Sequence, residues 1–110
     1  MRIYKILPRS EWEAARAAGV FEGSAVDRAD GYIHFSTAAQ AGETARKWFS
    51  GQPDLVVLEV EADDFGEALR WEPSRGGDLF PHLYAVLPTR AVRRVSEAPL
   101  GERGVPQLSL

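Results

Sequence analysis

The sequence predicts an α+β domain, with two helices near the N-terminus and a strand-rich second half. Two capping boxes, "SEWE" at residues 10–13 and "TAAQ" at 37–40, each precede a helix-forming run. "RIYKI", "LVVLEVEA" and "VRRVSE" carry the alternation or the short apolar runs of strands. Turn-forming clusters such as "SGQPD" and "PSRGG" separate the segments.

Residues 2–6 form the first predicted strand. A helix over 11–18 follows, capped by Ser10 with Glu13 and stopped by Gly19. "VFEGSAVDRADG" reads as an irregular crossing segment leading to a short strand at 32–35. Thr37 and Gln40 open the second helix, which runs to about Phe49. The strand at 55–62 is expected to be central, because its first half is apolar on both faces. A strand near 69–71 follows, then the loop "PSRGG". Pro81 argues against a central strand in "LFPHLYAVL". "PTRAV" resembles a single turn, and "VRRVSE" is the last strand. Residues 1–96 are read as one domain and 97–110, with two prolines and two glycines, as a loosely packed tail.

With 110 residues, 45% of them hydrophobic, the chain is long enough for a real core. Its 13 basic and 16 acidic residues give a net charge of −3, which argues against holding nucleic acid by bulk charge. The absence of cysteine excludes disulfides, thiolate zinc sites and thiol nucleophiles, and fits a reducing cytoplasm. No apolar run approaches a membrane span, and the start resembles neither a signal peptide nor an anchor.

The two histidines carry the chemical interest. His34 lies in "DGYIHFST", where a strand hands over to a helix N-terminus beside the hydroxyls of Ser36 and Thr37. The bland reading is a half-buried histidine bonded to backbone. The sharper one is a ring that bonds a ribose hydroxyl while the helix end faces a phosphate. His82 follows Pro81 in "GGDLFPHLY", where the proline fixes the direction of the chain. In "RWEPSRGG", Trp71 offers a flat wall, Glu72 an acid or base, and Arg75 a planar cation suited to phosphate. The bland reading there is an exposed loop with Trp71 in the core. A zinc site would need carboxylates such as Asp30 or Asp78 beside the two histidines, so no metal is expected. Trp48 and Phe49 read as core, and Arg90, Arg93 and Arg94 as a solvated face. Ser36 lacks the elbow of a serine nucleophile.

The segments "IYKIL…EW", "D-x-x-DGYIHFST", "LRWEPSRGG" and "LFPHLY…LP" resemble the bacterial domain-of-unknown-function family 952 over about residues 2–96. The resemblance implies a split, mostly antiparallel sheet similar to that of ADP-ribosyltransferases and, within them, the RNA 2′-phosphotransferases. It implies that NAD or a related ribosyl phosphate lies in a cleft between the half-sheets, without NAD being required by the sequence. "IHFST" matches the first histidine motif at His34, with Ser36 or Thr37 in the hydroxyl role, and His82 stands for the second histidine. On this reading His34, His82 and Glu72 are the catalytic candidates. Ser36, Thr37, Trp71, Arg75 and Tyr84 are the ligand-binding candidates. The late glutamate of the classical transferases has no clear counterpart; the nearest acids are Glu97 and Glu102. The alternative is therefore a non-catalytic nucleotide-binding or protein-interaction module that kept the cleft and lost the chemistry.

Overall fold

The structure, a computed structural model, describes the backbone of all 110 residues and every side chain except that of Arg75. The chain folds in the order β1 (Arg2–Pro8), α1 (Arg9–Ala18), β2 (Val20–Phe21), α2 (Ala25–Asp30), β3 (Ile33–His34), β4 (Ser36–Thr37), α3 (Ala38–Trp48), β5 (Leu55–Glu61), β6 (Leu69–Pro73), β7 (Leu79–Leu83), β8 (Leu87–Pro88) and β9 (Arg94–Ala98). Single 3₁₀ segments at Ala62–Ala68, Arg75–Gly77 and Thr89–Ala91 join the later strands. All pairings are antiparallel. They form a four-stranded sheet in the order β4-β1-β5-β9, a three-stranded sheet β3-β7-β6 and a β2-β8 ribbon.

Apolar residues on one face of β1 and β5, among them Ile3, Leu7, Val56 and Leu58, pack with Ile33, Phe35 and Leu83 of the smaller sheet region into the main core. The alternate residues Tyr4, Ile6 and Val57 pack against Ala45 of α3 and Phe49. β5 is flanked by β1 and β9, as its apolar first half predicts. Thr37 and Gln40 close the predicted box: the Thr37 hydroxyl accepts from the Gln40 N–H at 3.2 Å and the Gln40 side chain accepts from the Thr37 N–H at 3.1 Å. Among the described residues, no helix is long and apolar enough to cross a membrane.

Five expectations are corrected. First, the described residues hold three α-helices, not two. "SAVDRAD" holds α2, whose start is marked by the Asp27 carboxylate accepting from the Ser24 N–H at 2.8 Å and whose end is Gly31 at φ 88°. At six residues it is too short to show an apolar period, and the S-x-x-D signal alone announces it. Second, α1 begins at Arg9 after Pro8, not at Ser10. The β1–β5 ladder runs to Pro8, and the Arg9 N–H then donates to the Asp54 carbonyl at 2.9 Å, so the helix starts where the strand ends. Glu13 pairs with Arg16 rather than with a cap. Third, the strand expected at 32–35 is only Ile33–His34, because the chain crosses at Phe35 to the other sheet, where it forms β4 at Ser36–Thr37.

Fourth, Pro81 sits in β7, the central strand of its sheet. The Pro81 carbonyl accepts from the Phe35 N–H at 3.0 Å, so the side of Pro81 that lacks a donor faces the β3–β4 crossing and not β6. No ladder bond to β6 is lost. Fifth, Trp48 is 61% exposed, while its neighbour Phe49 packs on the α3 cluster. The segment after Ala98 is tied down by the Gly51 N–H to Gly104 carbonyl bond, by the Leu100–Pro106 bridge and by Leu108 on that cluster.

Gly23 precedes α2 at φ +112°, and a Cβ there lies 2.8 Å from the Asp27 Cβ. Gly23→Ala is therefore expected to destabilise the fold by about 1–3 kcal/mol. Gly42 is exposed within α3 with nothing near its absent Cβ, so Gly42→Ala is expected to stabilise by about 0.5–1 kcal/mol. Chemical denaturation of the two variants checks the opposite signs.

Candidate functional site

The two histidines lie directly opposite one another, in register across β3 and β7. Their ring centroids are 5.4 Å apart, edge to face. Antiparallel pairing brings 34 and 82 to the same sheet face because residues in register share a face. Tyr32 stacks on His82 at 4.1 Å and lies 4.6 Å from His34, so three rings form one cluster.

Each histidine leans on its own carboxylate. His34 Nδ1 is 2.6 Å from Asp27 Oδ1, and His82 Nδ1 is 2.8 Å from Glu72 Oε1. Each carboxylate accepts from the Nδ1–H of its ring and so fixes the orientation of that ring. Around His34 the Nε2 atom meets Asp30 Oδ2 at 2.9 Å, so this ring is held from both ends. Glu72 also accepts from the Tyr84 hydroxyl at 2.7 Å, and the Arg70 guanidinium lies over the Tyr84 ring at 4.6 Å.

Asp27 is the most heavily engaged group. It is 1% exposed and accepts from Lys5 Nζ at 2.8 and 3.0 Å, from the Ser24 N–H at 2.8 Å, and from the His34 N–H at 3.1 Å, besides the His34 ring. His34 is on the free edge of β3, and its N–H points away from β7; Asp27 takes the bond that a neighbouring strand otherwise takes. Burial pushes the Asp27 carboxyl up, but the bonds from His34 and Lys5 outweigh it and hold it at about 2. Burial pulls Lys5 below its ordinary value against the opposing pull of Asp27. The Tyr84 and His82 bonds hold Glu72 below the usual carboxylate range, and the same Glu72 bond raises Tyr84. Tyr32 is raised, first by burial and then by the charges of Asp30 and Glu72.

Both histidines open onto a cleft of about 500 Å³. It runs along β1 past Tyr4, Lys5 and Ile6, with Phe35 and Phe80 on one side and the exposed Trp48 at its rim. Ser36 lines it, buried, with its hydroxyl 2.9 Å from that of Thr44. Thr37 is occupied as the α3 cap. Glu72 and Tyr84 stand behind His82. Trp71 is in register with Pro81 and so lies on the opposite sheet face from Glu72 and His82, away from the cleft. The side chain of Arg75 lies outside the described residues. Asp27, Lys5 and Tyr32 join the site without having been singled out in the sequence, although "D-x-x-DGYIHFST" contains two of them. Among the described residues no group of three or more histidine and acidic side chains is placed to hold a metal ion.

Because the Asp27 value in the folded protein lies below its unfolded one, its stabilisation is full above about pH 4 and is lost as pH falls toward 2. That contribution is about 2 kcal/mol. Asp27→Asn is expected to be clearly less stable than the parent at pH 7, with a gap that narrows by about 2 kcal/mol between pH 5 and pH 2. Denaturant midpoints across that range check it.

The chain is 59% identical to protein CC0527 from Caulobacter crescentus, whose crystal structure it matches with a TM-score of 0.96 over 98% of this chain and 95% of that one. A double mutant of the same protein matches equally well, at 58% identity and a TM-score of 0.96 over the same shares of each chain. The solution structure of CC0527 matches with a TM-score of 0.89 at 60% identity, over 97% of this chain and 92% of that one. No curated protein matches the sequence. The model of the family described as "Protein of unknown function (DUF952)" matches residues 6–95, and the chain belongs to that family.

Proposed function

We propose that the cleft binds a nucleotide of the NAD or ADP-ribose type, with its ribose at the two histidines. The observation that carries this reading is the register pair His34–His82, each ring fixed at Nδ1 by its own carboxylate at the mouth of one cleft. A cleft of about 500 Å³ that sets polar groups such as the two histidines, Lys5 and Ser36 among aromatic walls has the form of a small-molecule site. The sequence resemblance of "IHFST" and the second histidine to ADP-ribosyltransferases supplies the ligand class.

In this reading Nε2 of His82 accepts a hydroxyl proton from the ligand or an acceptor, and Glu72 acts through His82 as a positioning residue. If a transfer occurs, the bond from the ribose anomeric carbon to its leaving base breaks as an acceptor oxygen attaches. The acceptor's proton passes to His82. Orientation and electrostatics then supply the rate.

One observation favours binding without turnover. Asp27 and Asp30 are both engaged by His34, Glu72 by His82 and Tyr84, and Glu11 by the Ser24 hydroxyl at 2.7 Å. Each of these four carboxylates already accepts from a neighbouring side chain, which leaves less of its charge for a sugar cation. Incubation with NAD and assay for released nicotinamide separates the two forms of the proposal.

NAD or ADP-ribose at a hundred times its dissociation constant is expected to stabilise the protein by about 2.7 kcal/mol. His82→Ala and His34→Ala are expected to lose at least tenfold in affinity. His34 is one-third exposed, so its change is expected to cost less stability than that of His82, which is 4% exposed. Trp71→Ala is expected to leave affinity unchanged. Calorimetric titration and denaturation of the variants measure both quantities; no binding of either nucleotide by the parent sinks the proposal.

A further inference from the structure

The β1 edge that faces the cleft is covered over only part of its length. β4 pairs with β1 only at Ile3 and Tyr4, whereas β5 pairs with it from Arg2 to Pro8. The direction of each backbone amide along β1 follows from its two ends. The Ala62 N–H donates to the Met1 carbonyl at 2.9 Å, and the Arg9 N–H donates to the Asp54 carbonyl at 2.9 Å. Residues 1 and 9 therefore turn toward β5 and its flanks, and so do 3, 5 and 7. Residues 2, 4, 6 and 8 turn the other way. Tyr4 uses that direction to pair with Ser36. Pro8 has no N–H to place there, which is why a proline is tolerated.

Ile6 is left. Its natural partner by register is His34, two residues before Ser36 on the opposing chain, but the His34 N–H donates to Asp27 Oδ1. The chain at Phe35 has by then turned to β7 through its bond to the Pro81 carbonyl. The Ile6 N–H and C=O thus point off the sheet edge into the cleft that Ile6 lines, although the residue as a whole is only 5% exposed. Main-chain groups so enclosed are normally paired.

We propose that the main chain of Ile6 reads an amide group on the ligand, its N–H donating to the amide carbonyl and its C=O accepting the amide N–H. One residue in extended conformation offers a donor and an acceptor side by side on one edge, the complement of a group that carries an acceptor and a donor side by side. This deepens the reading of the cleft as a small-molecule site and rests on it, but requires neither ribose nor phosphate. A ring carboxamide presents that pair from one group, its carbonyl and the N–H syn to it; an extended peptide residue presents it from the two peptide units that flank its Cα, because the C=O and N–H of a single trans unit point opposite ways.

The test uses the full ¹⁵N-labelled chain. In the free protein the Ile6 amide hydrogen is expected to exchange at least a hundredfold faster than those of Lys5 and Leu7, which bond to β5. Equal protection of all three overturns the proposal. Titration with benzamide and with N-acetyl-leucine N-methylamide is then followed at the Ile6 resonance. A downfield shift with the first assigns a ring carboxamide, and with the second an extended peptide residue. Benzoate and N,N-dimethylbenzamide are expected to leave that resonance in place. Equal shifts with all four probes, or no shift with any, overturn the proposal. Ile6→Pro removes an N–H without a ladder partner together with part of a buried side chain; it is expected to be less stable than the parent but to fold, and to lose at least tenfold in affinity for the effective amide, while Ile6→Val keeps it. If Ile6→Pro does not fold, the exchange and titration results decide. A benzamide shift at Ile6 without NAD binding leaves this inference standing and removes the nucleotide reading; NAD binding with an unmoved Ile6 amide does the reverse.

Discussion

The buried carboxylate of Asp27 is the point on which the rest of the site depends. It joins Lys5 of β1, the start of α2 and the edge of β3, three segments that no continuous element connects. An isolated charge in such a place costs far more than the fold can bear. Here the ammonium, the imidazole and two backbone N–H groups share it, so burial is tolerated and direction is gained. Replacing one member leaves the others unpaired, which is the expensive outcome for a buried ion pair. The same carboxylate occupies the position of a ladder bond to β1. In doing so it keeps the two sheets apart along the cleft.

The two histidines are built alike but placed differently. His82 is buried beneath Tyr32, and its carboxylate partner Glu72 belongs to the adjacent strand β6. His34 is more open, and its partners come from α2, one inside and one at the surface. The two rings are oriented by carboxylates from different elements, one on α2 and one on β6. That asymmetry suits a pair in which one ring orients a ligand and the other exchanges a proton with it.

Much of this was legible from local signals. The Thr37–Gln40 box, Gly19 as a helix stop and the apolar run of β5 are decided within a few residues, and each stands as read. "DGYIHFST" marked His34 for the same reason. The misses arise where distant residues decide. Lys5 reaches Asp27 across 22 positions, and no spacing rule announces it. Trp71 was grouped with Glu72 because they are adjacent, yet adjacency in a strand means opposite faces. Trp48 read as core because it is large and apolar, but its place on α3 turns it outward.

Pro81 has a consequence beyond its own tolerance in a central strand. Sliding β7 by one residue against its neighbours rotates the strand by half a turn and exchanges its faces. In that slipped pairing the bare nitrogen of Pro81 meets β6 where a donor is required, and Leu83, now fully buried, is turned outward. The proline thus acts as a ratchet tooth: the aligned arrangement leaves all bonds to β6 intact, and the misaligned one forfeits a bond and a core side chain together. Since His82 follows it directly, the imine acid that looks least suited to a strand is the residue that guarantees which side of the sheet the imidazole emerges from.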